Sequence, residues 1–154
     1  MIFLLLCFSL VVFIGAPYLP SFNKDFDELI KISGLSSGQK LVDLGSGDGR
    51  LLIAAVKRGI YAVGYEINPI LWALSTVRLL PYRKLAKVKL RNFWQVNLSD
   101  ADGIFVFLID HFMPRLERKL NKELKSNSIV ISYIFKLPNK RPFKVTKNSF
   151  IYKF

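Results

Sequence analysis

The stretch Leu41-Val42-Asp43-Leu44-Gly45-Ser46-Gly47-Asp48-Gly49-Arg50, continued by Leu51-Leu52-Ile53-Ala54-Ala55-Val56, decides the fold. Its apolar lead-in predicts a buried strand, its glycines a tight turn, and its aliphatic tail a helix. Strand, glycine turn and helix N-terminus in that order make a cradle for a nucleotide-type ligand. Glycine has no Cβ, so a bulky ligand can approach the bare backbone of such a turn. The spacing then selects among cradles. The dinucleotide fingerprint is G-x-G-x-x-G, whereas the glycines here stand at 45, 47 and 49. Asp43 lies two residues before the first of them. There it would repel a pyrophosphate and attract a cationic ligand.

Outward from the turn, strands alternate with helices. Upstream, Phe26, Leu29, Ile30 and residues 32–35 predict an amphipathic helix ending near Gly34, with a turn over 36–39. Strand one spans 40–44 and the next helix runs from Arg50 to about Arg58. A second strand, 61–65, ends on Glu66, and Asn68-Pro69 opens a helix to about Leu80. Residues 87–90 are a short third strand. The apolar run 103–109 reads as a central strand of a parallel sheet. A helix follows from Met113-Pro114 to about Leu124, then a fifth strand over 128–135. Residues 142–146 and 150–154 form a terminal hairpin about 147–149. The predicted fold class is α/β: a doubly wound, mostly parallel, Rossmann-like sheet closed by a C-terminal antiparallel hairpin with a reversed edge strand.

The 154 residues allow one core, and the net charge of +12 points to anionic partners. Cys7 is the single cysteine and His111 the single histidine. That excludes an intramolecular disulfide framework and a zinc cluster, so no metal is expected. Residues 2–16 are apolar or small, without charge. With Met1 and residues 17–19 they reach the lower end of the ~17–25 residues that span a bilayer. A signal peptide starts with positive charge and ends on a small-x-small cleavage site. No Lys or Arg precedes Lys24, and Gly15-Ala16-Pro17 is a poor site. The expectation is an uncleaved membrane anchor, 1–19, followed by one domain, 20–154. All 23 Lys and Arg residues follow the anchor, so the positive-inside rule places the domain on the cytoplasmic side. Pro17 and Pro20 stiffen the linker between the two.

Candidate site residues follow the strand ends, where ligands of open α/β sheets bind. Asp43, Gly45, Ser46 and Gly47 form the first turn. S-adenosylmethionine carries both a sulfonium and an ammonium, and so suits Asp43. Glu66, twenty-one residues after Gly45, is placed to accept hydrogen bonds from ribose hydroxyls. Asn92 and Phe93 follow strand three, where an amide reads the adenine edge and an aromatic stacks on its face; the alternative puts Phe93 and Trp94 in the core. Asp110 and His111 end strand four, beside the expected acceptor. They are candidates to orient an amine or pass on its proton, although Asp110 equally suits a helix cap. The D/N-P-P-Y/F motif of enzymes that methylate base amines is absent. Arg78, Arg83, Lys84, Lys87, Lys89 and Arg91 make an acid-free basic stretch, continued by Lys119, Lys122 and Lys125. Beside an anchor, anionic headgroups are its simplest partner, and the stretch has little of the aromatic interleaving that nucleic acid favours.

With those residues in place, the sequence resembles the small membrane-anchored seven-β-strand (class I) protein-lysine N-methyltransferases, whose animal members modify the c ring protein of ATP synthase and the adenine nucleotide translocase. The resemblance rests on the apolar run, Ala16-Pro17-Tyr18-Leu19-Pro20, the glycine turn, and Ala62-Val63-Gly64-Tyr65-Glu66-Ile67-Asn68-Pro69. It continues in Asn92-Phe93-Trp94-Gln95-Val96 and Met113-Pro114-Arg115-Leu116-Glu117-Arg118-Lys119-Leu120. It implies S-adenosyl-L-methionine as cofactor and a lysine of a membrane-associated protein as acceptor. The arrangement is also similar to the non-SET histone-lysine methyltransferases, which implies a capping role over the cofactor for Tyr18. Asp110-His111 departs from the small or apolar residues of the family. RNA, lipid or small-amine acceptors and a non-catalytic binding module are the alternatives.

Overall fold

A computed structural model of the chain describes residues 23–154. The expected anchor, 1–19, the proline linker and Tyr18 lie outside the described residues. Among the described residues no helix is long and apolar enough to cross a membrane. The chain order is α1 (Asn23–Ser33), β1 (Lys40–Leu44), α2 (Arg50–Val56), β2 (Tyr61–Glu66), α3 (Pro69–Arg78), β3 (Ala86–Leu90), β4 (Gly103–Val106), α4 (Met113–Glu123), β5 (Ile129–Tyr133), β6 (Lys144–Val145) and β7 (Ser149–Lys153). The seven strands form one sheet in the order β3-β2-β1-β4-β5-β7-β6. β1 to β5 are mutually parallel, and β7 runs antiparallel to both β5 and β6.

The sheet is covered on both faces, which is why β4 reads as a continuous apolar run and β1 is buried from Leu41 to Leu44. Leu29 and Ile30 of α1, Leu51, Leu52, Ala54, Ala55 and Val56 of α2, and Leu79 just past α3 fill one face. Met113, Leu116 and Leu120 of α4 fill the other, with Phe93, Val96 and Leu98. Helix starts follow local chemistry. Asn68 Oδ1 accepts from the N–H groups of Ile70 (2.9 Å) and Leu71 (3.3 Å), with Pro69 opening the first turn. Gly49 precedes α2 at φ 82°, a backbone state that glycine reaches without strain.

Two boundaries and one strand position differ most from the sequence reading. β4 stops at Val106, so residues 107–109 are not strand. Its register with β1 ends at Leu44↔Val106, because β1 turns away at Gly45 and leaves the next residues without a partner on that side. The reversed strand is not the edge. β7 buries Ser149, Ile151 and Tyr152 and so pairs with β5, while the exposed two-residue β6 forms the rim. β5 ends at Tyr133, where Phe135 N–H bonds the Tyr133 carbonyl (2.9 Å) around Ile134 at φ 69°. That is a three-residue turn with a positive φ, strained for a β-branched residue.

Candidate functional site

The carboxyl ends of β1, β2, β3 and β4 converge on the glycine turn. The turn is fastened to β2: the Tyr65 carbonyl accepts from Gly45 N–H (2.9 Å) and Ser46 N–H (3.0 Å). Gly64 makes that approach possible. A Cβ there would stand 2.4 Å from Ser46 Oγ and 2.6 Å from Ser46 Cβ, closer than atoms can sit. Gly45 (φ 93°) and Gly47 (φ 53°) adopt left-handed backbone in the turn.

Glu66 adds a second fastening. Its Oε2 accepts from Gly47 N–H (2.8 Å), and its Oε1 from the N–H groups of Ile67 (2.8 Å) and Asn68 (2.8 Å). One carboxylate thus joins the turn after β1 to the start of α3, at 5% exposure. The sequence reading anticipated Glu66 as a ligand group and missed this structural tie.

Asp43 is different. It is 3% exposed, and among the described residues no donor bonds its carboxylate. Burial pushes its pKa well above the usual carboxylate range, and the negative charges of Glu66 and Asp48 push it further. Ser46 Oγ, three residues on in the chain, is also buried and has no hydrogen-bond partner among the described residues. The site therefore has a deficit of positive charge and an open polar group.

Asp48, one residue along the same turn from Gly47, is compensated. Its Oδ2 lies 2.8 Å from Arg50 Nε and 2.6 Å from Arg78 Nη1, and Arg78 also donates to the Asp48 carbonyl (2.9 Å). Burial raises its pKa, but the hydrogen bonds from Arg50 and Arg78 outweigh it and hold the carboxyl below its ordinary value. This cluster was not foreseen, and Arg78 is accordingly not a free member of the basic stretch. Lys119 is likewise engaged, by Glu123 (2.7 Å) and the Val96 carbonyl (2.6 Å), and Lys125 by Asp102 (2.7 Å). A cleft of about 670 Å³ opens on the outer side of α2, lined by Phe26, Asp27, Arg50, Ile53, Lys57 and Arg78 among others. None of the described candidate cofactor residues lines it.

After β3, Asn92 Oδ1 caps a short helical turn by accepting from Trp94 N–H (3.0 Å). Phe93 does not present a ring face at the rim. It is buried in the core, its ring 4.8 Å from that of Trp94. The aromatic pair prefers the interior because two large rings bury more apolar area there than stacking would cover at an edge. Trp94 in turn takes the Arg115 guanidinium 4.2 Å above its ring.

Asp110 and His111 occupy a single turn, Asp110–Phe112, and both are exposed. Neither side chain caps α4. The His111 ring contacts Phe112 at 5.3 Å. On the other sheet face, near the ends of β4 and β5, Phe105, Phe107, Tyr133 and Phe26 form an aromatic cluster, with Phe107 and Tyr133 at 5.5 Å. Among the described residues no group of His, Cys, Asp and Glu is arranged to hold a metal ion.

With this geometry established, comparison with known proteins is decisive for the family. The model of the ANTKMT methyltransferase domain matches residues 43–144, from Asp43 to β6. The chain belongs to that family. It is 37% identical over 134 residues to the human lysine N-methyltransferase named for the C subunit of ATP synthase, covering 84% of this chain and 56% of that protein. It is 34% identical to mouse adenine nucleotide translocase lysine N-methyltransferase, covering 84% and 57%. A protein-lysine N-methyltransferase of Saccharolobus islandicus is 34% identical over 135 residues, covering 85% and 84%. The chain spans little more than half the length of these two animal relatives. In fold, it matches an RNA methyltransferase from Salinibacter ruber, solved with S-adenosyl-L-homocysteine, at a TM-score of 0.83 and 22% identity over 88% of this chain and 93% of that one. The architecture is the class I methyltransferase fold, as the sequence predicts.

Proposed function

We propose that this chain is an S-adenosylmethionine-dependent protein-lysine N-methyltransferase acting on a membrane or membrane-proximal protein. The observation that carries the cofactor half is the uncompensated Asp43, buried beside a second acid at the glycine turn. A sulfonium-ammonium ligand supplies the missing positive charge, and a dinucleotide would add to the deficit. The names of the family's relatives support lysine as the acceptor.

In this reading Asp43 holds the cofactor's ammonium, and Gly45, Ser46 and Gly47 line its methionyl part. Glu66 Oε2 accepts only one backbone N–H and keeps a lone pair for a ribose hydroxyl. Asn92 spends Oδ1 on its cap and offers its amide N–H to the adenine edge. Phe93 contributes its backbone N–H, the first of a helical turn and without an intrahelical acceptor, rather than its ring. Tyr18, by resemblance, closes over the cofactor. When bound, the cofactor supplies an electrophilic methyl group on a positively charged sulfur. The chain's own tasks are to position that group and to let a lysine arrive with its nitrogen deprotonated. Asp110 orients the incoming ammonium and His111 takes its proton. Residues 1–19 anchor the domain in a bilayer, on its cofactor-containing, cytoplasmic side. Tethering raises the effective concentration of a membrane-bound acceptor.

Incubating the full chain with methyl-labelled cofactor and native membranes tests this reading. Methyl-lysine in a protease-sensitive membrane protein is the expected product. Label that survives protease but not ribonuclease would replace lysine by RNA. Intact cofactor binding with no label transferred would leave a binding module.

A further inference from the structure

α3 turns Leu71 and Ser75 inward, with Leu79 just past its end. Its opposite side carries Ile70, Leu74, Val77 and then Leu80, exposed by 40, 43, 65 and 58%. The first three recur at i, i+4 and i+7, so they form one stripe, which the exposed Ala73 fills in. A solvated helix face normally carries charge. This helix has no charged residue before Arg78, and Arg78 is bound to Asp48. The Thr76 hydroxyl is turned back onto the Trp72 carbonyl at 2.8 Å. Contiguous apolar surface of this kind marks a contact site.

The stripe ends in positive charge. Arg83 and Lys84 are exposed immediately beyond it, and Lys57 and Arg58 are exposed at the end of α2. The hydrogen bond from Ala62 N–H to the Leu85 carbonyl (2.8 Å) holds the two turns side by side. No Asp or Glu occurs from residue 67 to residue 99. We propose that the outer face of α3 is a bilayer-docking surface, seated in the interface of an anionic membrane with these cations among the headgroups. An apolar helix face flanked by Lys and Arg is what such an interface accepts. A second copy is a poorer occupant, since its stripe has no acid to answer the cations. The apolar run 2–16 is uncharged and would leave the cations unanswered.

The proposal rests on the membrane-anchored reading above and adds an orientation to it. α3 connects two parallel strands and so runs back along the sheet. With α3 lying flat, the sheet edge that carries Asp43, Glu66 and the turn at Asp110 opens along the membrane surface, at the height of a protruding lysine.

Spin labelling of the full chain tests it. In a Cys7→Ser background, a nitroxide at Val77→Cys is compared with one at Lys122→Cys, exposed on α4 across the sheet. The chain is reconstituted into phosphatidylcholine–phosphatidylserine vesicles, and collision with oxygen is read against collision with a water-soluble nickel chelate. The expected result is an oxygen-to-nickel ratio several-fold higher at 77 than at 122. Equal ratios on vesicle-bound chain would overturn the docking surface and leave the anchor standing. A label at 77 shielded from both reagents would also overturn it, placing residues 1–22 or a second copy there, with spin–spin broadening marking the copy. A chain that does not float with the vesicles would overturn the anchor and the docking surface together, leaving the cofactor site untouched.

Discussion

The glycine turn and the end of β4 lie on the same edge of the sheet, yet they are built in opposite ways. In the turn, Gly45, Ser46 and Gly47 donate to fixed acceptors, Glu66 accepts three N–H groups, and the acids are buried. At the end of β4, Asp110 and His111 are exposed and cap nothing. The first region is finished before a ligand arrives. The second takes its final geometry from whatever docks there. A small cofactor of constant shape rewards preorganisation, whereas an acceptor lysine brings its own surrounding surface.

The contrast breaks hardest at Glu66. Glu66→Ala removes the acceptor for Gly47, Ile67 and Asn68 and leaves one buried and two part-buried N–H groups unpaired. We expect a stability loss of about 2–4 kcal/mol in urea unfolding, together with loss of calorimetrically detectable cofactor binding. A variant that keeps wild-type stability would show that the tie is not structural. Gly64→Ala comes next. Its Cβ would overlap Ser46 Oγ at 2.4 Å, so the turn must move, at a cost of about 1–3 kcal/mol. The double variant Gly64→Ala/Ser46→Gly removes the two nearest atoms and leaves Leu52 Cδ1 at 2.8 Å, so it should recover part of that stability but not the affinity that Ser46 confers.

Asp43 separates binding from stability. Asp43→Asn should weaken cofactor binding roughly ten- to a hundredfold, the range for one charged contact, and yet raise the thermal midpoint of the free protein. The sign follows from linkage. The folded pKa of Asp43 lies above its unfolded value, so its contribution is fully present below the unfolded pKa and is lost as pH rises through the folded one. Once ionised, the buried carboxylate therefore opposes folding. Cofactor affinity runs the other way, falling as pH drops into the range where Asp43 holds its proton. Asp48 and Asp102 show the usual behaviour: burial raises each pKa, hydrogen-bonded cations more than reverse it, and their stabilisation disappears as pH falls through the lowered values. Calorimetric titrations and thermal scans across pH, with Asp43→Asn as control, check both signs. A cofactor affinity independent of pH in the wild type would remove Asp43 from the site.

What was legible in the sequence divides along similar lines. β1, the glycine turn, β2 and α3 were readable because each step is local: alternation of apolar runs, glycine spacing, an Asn-Pro helix start. Where the outcome depended on partners distant in sequence, reading failed. The strand over 103–109 ends early because β1, sixty residues upstream, turns away at Gly45. For Phe93 the sequence left stacking and core placement both open, and the surrounding cluster draws it into the core. Arg78 looked like a surface cation because its partner Asp48 is thirty residues away.

The smallest effect is expected where the geometry is least finished. Asp110→Asn and His111→Gln alter exposed groups, so stability should stay within about 0.5 kcal/mol of wild type. Cofactor affinity should also be unchanged, since both residues lie outside the glycine turn. If they orient and deprotonate the acceptor, methyl transfer to a membrane-protein lysine falls, with Asp110→Asn raising the acceptor KM and His111→Gln lowering kcat. If the acceptor's own surface does that work, transfer to protein is unaffected. Turnover on a free short peptide then decides between them. A peptide brings little surface of its own, so it depends more on Asp110 and His111 than a folded acceptor does. A larger loss with the peptide than with the membrane protein would place the missing half of this site on the partner.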